Sequence, residues 1–401
     1  MNLPANRRVM WILNHTTLMD WEVPMLLEQG FEVFVPKHLP QGPNGRTATV
    51  TNKFDASLSI PPADLAYLNT LNFYESPMSK KTADIINRHF GNCICAYIFP
   101  GLYYMLQTFR GTIFMRAFGH ASTFDYESAT DTVPLESLEK NSYSSTWHRF
   151  QIALLGIHRR WVRRVGIRSK NSIMREMFLA RNRIYLAAAY REIIENEKPF
   201  LKSRSLFMPL ALPDSIASRP QTWRGGDPRI LFVCPNIDQI DYYRRIYQRF
   251  VEELGQFPYC IAGRQDLGGP PTEPTTRDPN ILGFIERSTY DELMNSCLCM
   301  FYHSQEERHL HYHPLEAVVA GLPLIFMSGG LLEKCGGSDQ PGLCHSYTEA
   351  REKIQRLQNG DSDFRTKLLT AQKQILKPFE SQYCTSEWKK TFVPIALESP
   401  L

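Results

Sequence analysis

The chain has 401 residues, 43% hydrophobic and 21% charged, with a formal net charge of +4. That length suits two domains of ordinary size, the hydrophobic share is enough for real cores, and the charged share argues against disorder. A charge this mild gives no reason to expect a nucleic-acid partner.

Nine cysteines, an odd count without a spacing framework, fall largely inside apolar strand-like runs (Cys93, Cys95, Cys234, Cys297, Cys299). That usage fits reduced, buried thiols in a cytoplasmic protein. The basic start MNLPANRRVMWILNHTT leads into an apolar patch, Val9 to Leu13, far too short for a signal-peptide core. No run approaches the ~18 apolar residues of a membrane span, so the protein is expected to be soluble or only peripherally attached.

Arg8 to Leu13 reads as a first strand, NHTTLMDWEVPMLLEQG as the loop and helix after it, closed by Gly30, and Phe31 to Pro36 as a second strand. Strand, helix, strand is how a doubly wound α/β domain begins. His15 and Thr16 fall at the carboxyl end of the first strand, the edge that lines a cleft, while Thr16 or Thr17 equally suits a helix cap. Gln41 to Ser57 reads as a loop, Ala63 to Asn72 and Lys80 to His89 as helices, and Cys93 to Phe99 and Thr112 to Phe118 as strands. His120 and Asp125 follow that last strand, where His120 suits either a cleft or the cap of the next turn.

The stretch HRRWVRRVGIRSKNS carries Arg159, Arg160, Arg163, Arg164, Arg168 and Lys170 around Trp161. Interleaved arginine and indole suit an anionic membrane surface, where each cation contributes about 1 kcal/mol, and equally a lipid pyrophosphate or an acidic glycan. A solvated helix face is the plainer alternative. Strands are expected at Arg183 to Ala188 and Ser205 to Leu210, on either side of a helix over Arg191 to Asn196.

Ser215 to Pro228, with its prolines and Gly-Gly, is the best candidate for an interdomain linker. The pattern then restarts: strand Arg229 to Cys234, helix Tyr242 to Leu254, strand Tyr259 to Ala262 ending at Gly263-Arg264, and strand Ile281 to Ile285. A helix follows with Ser288 as its expected N-cap and Glu292 near the capping-box position. Cys297 to Tyr302 is a buried strand, His303 to His313 a polar loop, and Pro314 to Ala320 a helix with proline in its first turn, closed by Gly321. Pro323 to Met327 is the next strand, and Gly329-Gly330 opens a loop able to approach phosphate closely. In an open parallel sheet, ligands bind beyond the carboxyl ends of strands, against helix N-termini, and the loop His303 to His313 is such a place.

The residues Ser304-x-x-Glu307, then His313-Pro314-x-Glu316-Ala317, then Gly321-x-Pro323, resemble the nucleotide-sugar signature of GT-B glycosyltransferases of the family 4 type. Glu307 and Glu316 are separated by eight residues, one more than in that family, and Leu310 and His311 stand in its Phe-Gly places. The resemblance covers Arg229 to about Ser328. It implies two Rossmann-like α/β domains facing a cleft, with a closing helix that returns to the first domain. The expected boundaries are 1–218, 219–378 and 379–401.

The resemblance also assigns roles. Glu316 is expected to hold the donor ribose hydroxyls, and Glu307 to face the sugar at the catalytic centre with Ser304 beside it. His120 would reach the donor sugar from the first domain, and His120 or Asp125 would take the acceptor proton if configuration inverts. Asn236 to Asp238 stand where the family has a pyrophosphate-binding arginine, so Arg264 is the nearest substitute. His303, His309, His311 and His313 have metal-ligand chemistry, but no Cys or Asp joins them at recognisable spacing, so neither metal nor cofactor is expected. Hydrogen bonds from His303 and His313 to the donor phosphates, as imidazolium, are the preferred reading, with Gly329 nearby.

The function so implied is transfer of a sugar from a nucleotide-sugar donor to a glycan or lipid-linked glycan acceptor, with retention, in polysaccharide or glycoconjugate synthesis on the cytoplasmic side of a membrane. A nucleotide-sugar epimerase of the same fold, or a non-catalytic sugar-binding relative, is the alternative. No G-x-G-x-x-G follows either opening strand, which argues against a dinucleotide-dependent oxidoreductase.

Overall fold

A computed structural model describes residues 3–13, 16–37, 58–73, 78–96, 101–119, 176–195, 197, 199–265 and 278–399. The chain divides into two units, one running to Pro209 and resuming over Thr385–Leu401, the other occupying Leu210–Cys384.

The first unit carries strands β1 (Arg8–Ile12), β2 (Glu32–Phe34), β3 (Asn92–Ala96), β4 (Thr112–Ala117), β5 (Ile184–Ala188) and β6 (Ser205–Phe207), in the spatial order β2-β1-β3-β4-β5-β6. Every neighbouring pair is parallel, with Val9 opposite Asn92, Asn92 opposite Thr112 and Ile113 opposite Ile184. Strands of a parallel sheet are covered on both faces, and β1 and β4 are accordingly buried at every position. Helices α1 (Thr16–Glu28), α2 (Pro62–Leu68), α3 (Lys80–His89), α4 (Gly101–Thr108), α5 (Arg191–Glu195) and α6 (Pro199–Lys202) connect the strands. The predicted bounds of α3 hold to the residue, its start fixed by Ser79, whose hydroxyl accepts from the Thr82 amide at 3.1 Å. Helix α4 was not expected. Leu102, Met105 and Leu106 are buried at helical spacing, but Tyr103 and Tyr104 between them blur the period.

A charge pair lies inside this unit. Arg116 on β4 and Glu22 on α1 are both fully buried, with Nε 2.9 Å from Oε1. Trp11 Nε1 donates to the other carboxylate oxygen at 2.8 Å, and the guanidinium also donates to the carbonyls of Ala187, Met208 and Pro209.

The second unit carries β7 (Ile230–Val233), β8 (Tyr259–Ala262), β9 (Ile281–Gly283), β10 (Cys299–Tyr302), β11 (Leu324–Met327) and β12 (Leu343–Cys344), ordered β12-β11-β10-β7-β8-β9. All these pairs are parallel. Its helices are α7 (Asp214–Ala217), α8 (Asp241–Leu254), α9 (Arg287–Ser296), α10 (His313–Ala320), α11 (Leu331–Gly336), α12 (Tyr347–Gln358) and α13 (Ser362–Ala371), followed by a 3-10 turn over Gln372–Phe379. The 215–228 stretch lies along α9 and α10: Thr222 and Trp223 amides donate to Ala320 O, the Arg224 amide to Asn295 O, and Trp223 Nε1 to Cys297 O. Helix α9 begins at Arg287 with Glu286 as its N-cap, so Ser288 lies inside the helix and not at its cap. Glu292 turns away from the helix start to pair with Arg224.

The last helix, α14 (Ser381–Leu397), belongs to the first unit from Thr385 onward, as the fold class implied. Trp388 Nε1 donates to Pro209 O at 3.0 Å, and Thr391 Oγ1 to Phe207 O at 3.2 Å. Ser399 Oγ donates to Asn92 Oδ1 and pairs with the Thr112 hydroxyl, each at 2.7 Å. All nine cysteines are free thiols, eight of them buried. Among the described residues no helix is long and apolar enough to cross a membrane.

Candidate functional site

Strands β7 and β10 are neighbours, yet the chain leaves β7 toward β8 on one side and β10 toward β11 on the other. Such a switch point opens a crevice between the two departing loops, at the carboxyl ends of the strands. The loop of β7 is 234–240 and that of β10 is 303–312.

The first loop is braced from below. Asn236 adopts φ 51°, and its amide donates to Arg264 O at 2.7 Å. Gln265 Nε2 donates to Cys234 O and Gly263 O, and its side-chain oxygen accepts from the Ile237 amide, all at 2.9 Å. The Arg264 side chain is exposed, its guanidinium 5.8 Å from the ring of exposed Phe284.

The second loop gathers the histidines. The His303 ring lies 5.5 Å from Phe232, His309 lies 4.6 Å from His311, and His311 lies 5.3 Å from His313. Tyr302 packs edge-on to His313 at 5.2 Å, and its buried hydroxyl has no hydrogen-bond partner among the described residues. Burial holds the His303 imidazole down to about 4 and His313 well below the usual histidine range, the latter helped by the neighbouring His311, His303 and His309. These two rings are therefore neutral near pH 7, and they offer phosphate a hydrogen bond without a positive charge. Among the described residues no group of three or more His, Cys, Asp or Glu is placed to hold a metal ion.

The loop is also tied to the turn after β11. Ser304 is buried, and its hydroxyl accepts from the Glu306 amide at 3.3 Å. Gln305 Nε2 donates to Ser328 O at 2.8 Å, and the Leu331 amide to Glu306 O at 2.9 Å. Gly329 has φ 87°, and its amide donates to the Glu333 carboxylate at 2.7 Å. Glu307 points to solvent, paired with Lys334 at 3.3 Å.

Helix α10 starts as its sequence dictates, with Pro314 in the first turn and Gly321 in left-handed conformation as its C-cap. Glu316 in that first turn is 11% exposed at its side chain. Arg287 Nη1 lies 3.2 and 3.4 Å from its two carboxylate oxygens, and Arg287 Nη2 lies 2.8 Å from Asp291 Oδ1. Asp291 in turn accepts from Arg219 Nη1 at 3.0 Å. Burial raises the Glu316 carboxyl above its usual range, opposed by the charge and hydrogen bond of Arg287. A cavity of about 290 Å³ opens beside these groups, lined also by Thr222 and Asn295.

Of the sequence-predicted residues, the structure brings His303, Ser304, His313 and Glu316 to the β10–α10 crossing, with Glu307 exposed on the same loop, Gly329 on the adjoining one and Arg264 at the end of β8. Thr16 is the first residue of α1. His15, His120, Asp125, Arg159, Arg160, Trp161, Arg163 and Arg164 lie outside the described residues. Sequence reasoning missed Arg287, Asp291 and Arg219. Arg287 and Asp291 stand four apart on one helix, a pairing the sequence does display, but nothing in it ties Arg287 to a glutamate 29 residues on.

No family model matches the chain, and neither does any curated protein. Solved structures do. The chain is similar to Anabaena Alr3699/HepE in complex with UDP-glucose, at 10% identity, covering 96% of this chain and 98% of that one with a TM-score of 0.53. It is also similar to a UDP-forming α,α-trehalose-phosphate synthase from Burkholderia xenovorans, at 11% identity, with 98% and 99% covered and a TM-score of 0.52. Against TarM the TM-score is 0.46, and the chain spans 54% of that protein's length. At such identities the likeness shows the fold: an α/β chain of the GT-B class, with two parallel sheets and a closing helix.

Proposed function

We propose that the protein is a glycosyltransferase that takes its sugar from a nucleotide-sugar donor. The observation that carries this reading is Glu316: a largely buried carboxyl on the first turn of a helix at the switch point of a GT-B-class chain, paired with Arg287, whose charge opposes the upward pull of burial, and available to paired hydroxyls. The structural neighbours add support, since one was solved with UDP-glucose and another is UDP-forming, which makes UDP the first nucleotide to try.

The reaction is displacement at an anomeric carbon, in which the leaving nucleoside diphosphate gathers negative charge. Preorganised positive groups and dipoles stabilise such charge most effectively. In this chain they are the start of α10, neutral His303 and His313 as hydrogen-bond donors, and Arg264, with Ser304 and Gly329 beside them, while Glu307 is assigned to the sugar and not to the phosphates. We assign retention of configuration, the leaving phosphate assisting the acceptor hydroxyl, with His120 and Asp125 as first-unit groups near the sugar and His15 and Thr16 toward the acceptor. Neither metal nor cofactor is invoked. The acceptor class is a glycan or lipid-linked glycan, and Arg159 to Arg164 around Trp161 are assigned to an anionic headgroup or acceptor at a cytoplasmic membrane face.

The test is thermal unfolding against UDP, GDP, CMP, dTDP and ADP. A nucleotide at one hundred times its dissociation constant adds about 2.7 kcal/mol, and that shift is expected in the wild type and absent in Glu316→Ala. If no nucleotide moves the wild-type midpoint, the reading falls. Turnover then separates the alternatives, because an epimerase interconverts the free nucleotide-sugar while a transferase consumes it only with an acceptor.

A further inference from the structure

We propose that Arg287 is the positioning residue of the nucleoside site, holding the Glu316 carboxylate in the orientation that accepts the two vicinal hydroxyls of a ribose. The inference rests on the donor reading above and gives a role to a residue outside the family-like signature.

The geometry is specific. A single guanidinium nitrogen faces both Glu316 oxygens, at 3.2 and 3.4 Å, which leaves lone-pair capacity on each for a further donor. The other nitrogen is anchored 2.8 Å from Asp291, and Asp291 is held by Arg219 at 3.0 Å. A relay of alternating charge thus runs from the segment before β7, across α9, to the first turn of α10. Its residues line the 290 Å³ cavity, which is large enough to admit part of a ligand.

The ionisable groups facing Glu316 are Arg287, Asp291 and Tyr290 on α9, with Arg219 beyond them across the cavity. Of these, Arg287 opposes the burial that favours the protonated carboxyl. A protonated carboxyl presents an O–H to the sugar and loses half its capacity to accept.

The experiment is isothermal titration of wild type, Arg287→Gln and Arg287→Lys with UDP, GDP and ADP between pH 5.5 and 8. Arg287 is 46% exposed at its side chain, so both variants are expected to fold. Glutamine is expected to weaken the bound nucleotide about tenfold at pH 8, the loss of one charge-assisted hydrogen bond. The loss should deepen as pH falls, moving the midpoint of the affinity curve to higher pH than in wild type. Lysine is expected to bring the midpoint back without restoring full affinity, since an ammonium keeps the charge and loses the fork. The nucleotide's own titration cancels between proteins. Wild type that binds a nucleotide beside an Arg287→Gln curve of the same shape overturns the inference and leaves the donor reading standing. Wild type that binds none of the three, and neither CMP nor dTDP, overturns both.

Discussion

His303 and His313 stand where one strand ends and a helix begins, and their burial costs the protein something in acid. An unfolded histidine protonates near pH 6.5, whereas His303 in the fold does so at about 4, with burial as the cause. Between those values the unfolded chain binds more protons than the native one, so stability is full above about pH 6.5 and falls as pH drops toward 4. His303→Phe removes that difference at one site and keeps a ring against Phe232. The variant is expected to lose about 1–2 kcal/mol less than wild type on going from pH 7 to pH 5, read from urea midpoints at the two values. Equal losses in the two proteins would mean that the imidazole stays solvated and that its burial has no energetic consequence.

At the scale of elements, the β10 and β11 loops behave as one piece. A Cβ on Gly330 would come within 2.6 Å of Ser304 O and 3.1 Å of Gln305 Cα, so only a glycine lets the two loops share the bonds between Gln305 and Ser328 and between Leu331 and Glu306. Gly330→Ala is expected to cost about 1–3 kcal/mol and to weaken nucleotide binding, because Ser304 and His303 move with the loop. Calorimetry on the variant checks both, and an unchanged midpoint would show that the loops part without consequence. The strands flanking this site were legible in the sequence because parallel strands buried on both faces read as short apolar runs, as at Cys299–Tyr302 and Leu324–Met327. Helix α10 was legible through Pro314 and Gly321, which act locally. The partners of its functional face were not. Arg287 meets Glu316, and Gln265 braces the Asn236 loop, through contacts that join separate strands' loops and impose no period on the chain. Helix α4 escaped for the opposite reason, an apolar run too uniform to show which side is buried.

At the scale of the molecule, the closing helix completes the core of the first unit with residues from the far end of the chain. Trp388 is fully buried, 5.7 Å from Trp21, 5.6 Å from Phe392 and 5.1 Å from the Arg116 guanidinium, and Phe392 packs 4.6 Å from Phe114. Trp388→Ala removes that contact area and the bond to Pro209 O, an expected loss of about 3–5 kcal/mol. Glu22→Gln tests the same core by charge: it leaves the fully buried Arg116 guanidinium without its counter-ion, a loss of the same order. The nucleotide reading places its ligand in Leu210–Cys384, whereas both substitutions fall in the other unit. Scanning calorimetry with and without a binding nucleotide therefore tests independence. If the units unfold separately, Trp388→Ala lowers one transition and the nucleotide raises the other. If one transition carries both effects, the units unfold together, and a substitution in the first lowers the midpoint of the second with it, while the nucleotide adds its own stabilisation on top. An unmoved first transition in Trp388→Ala would mean that the closing helix contributes no stability, and the packing described for it would have to be wrong.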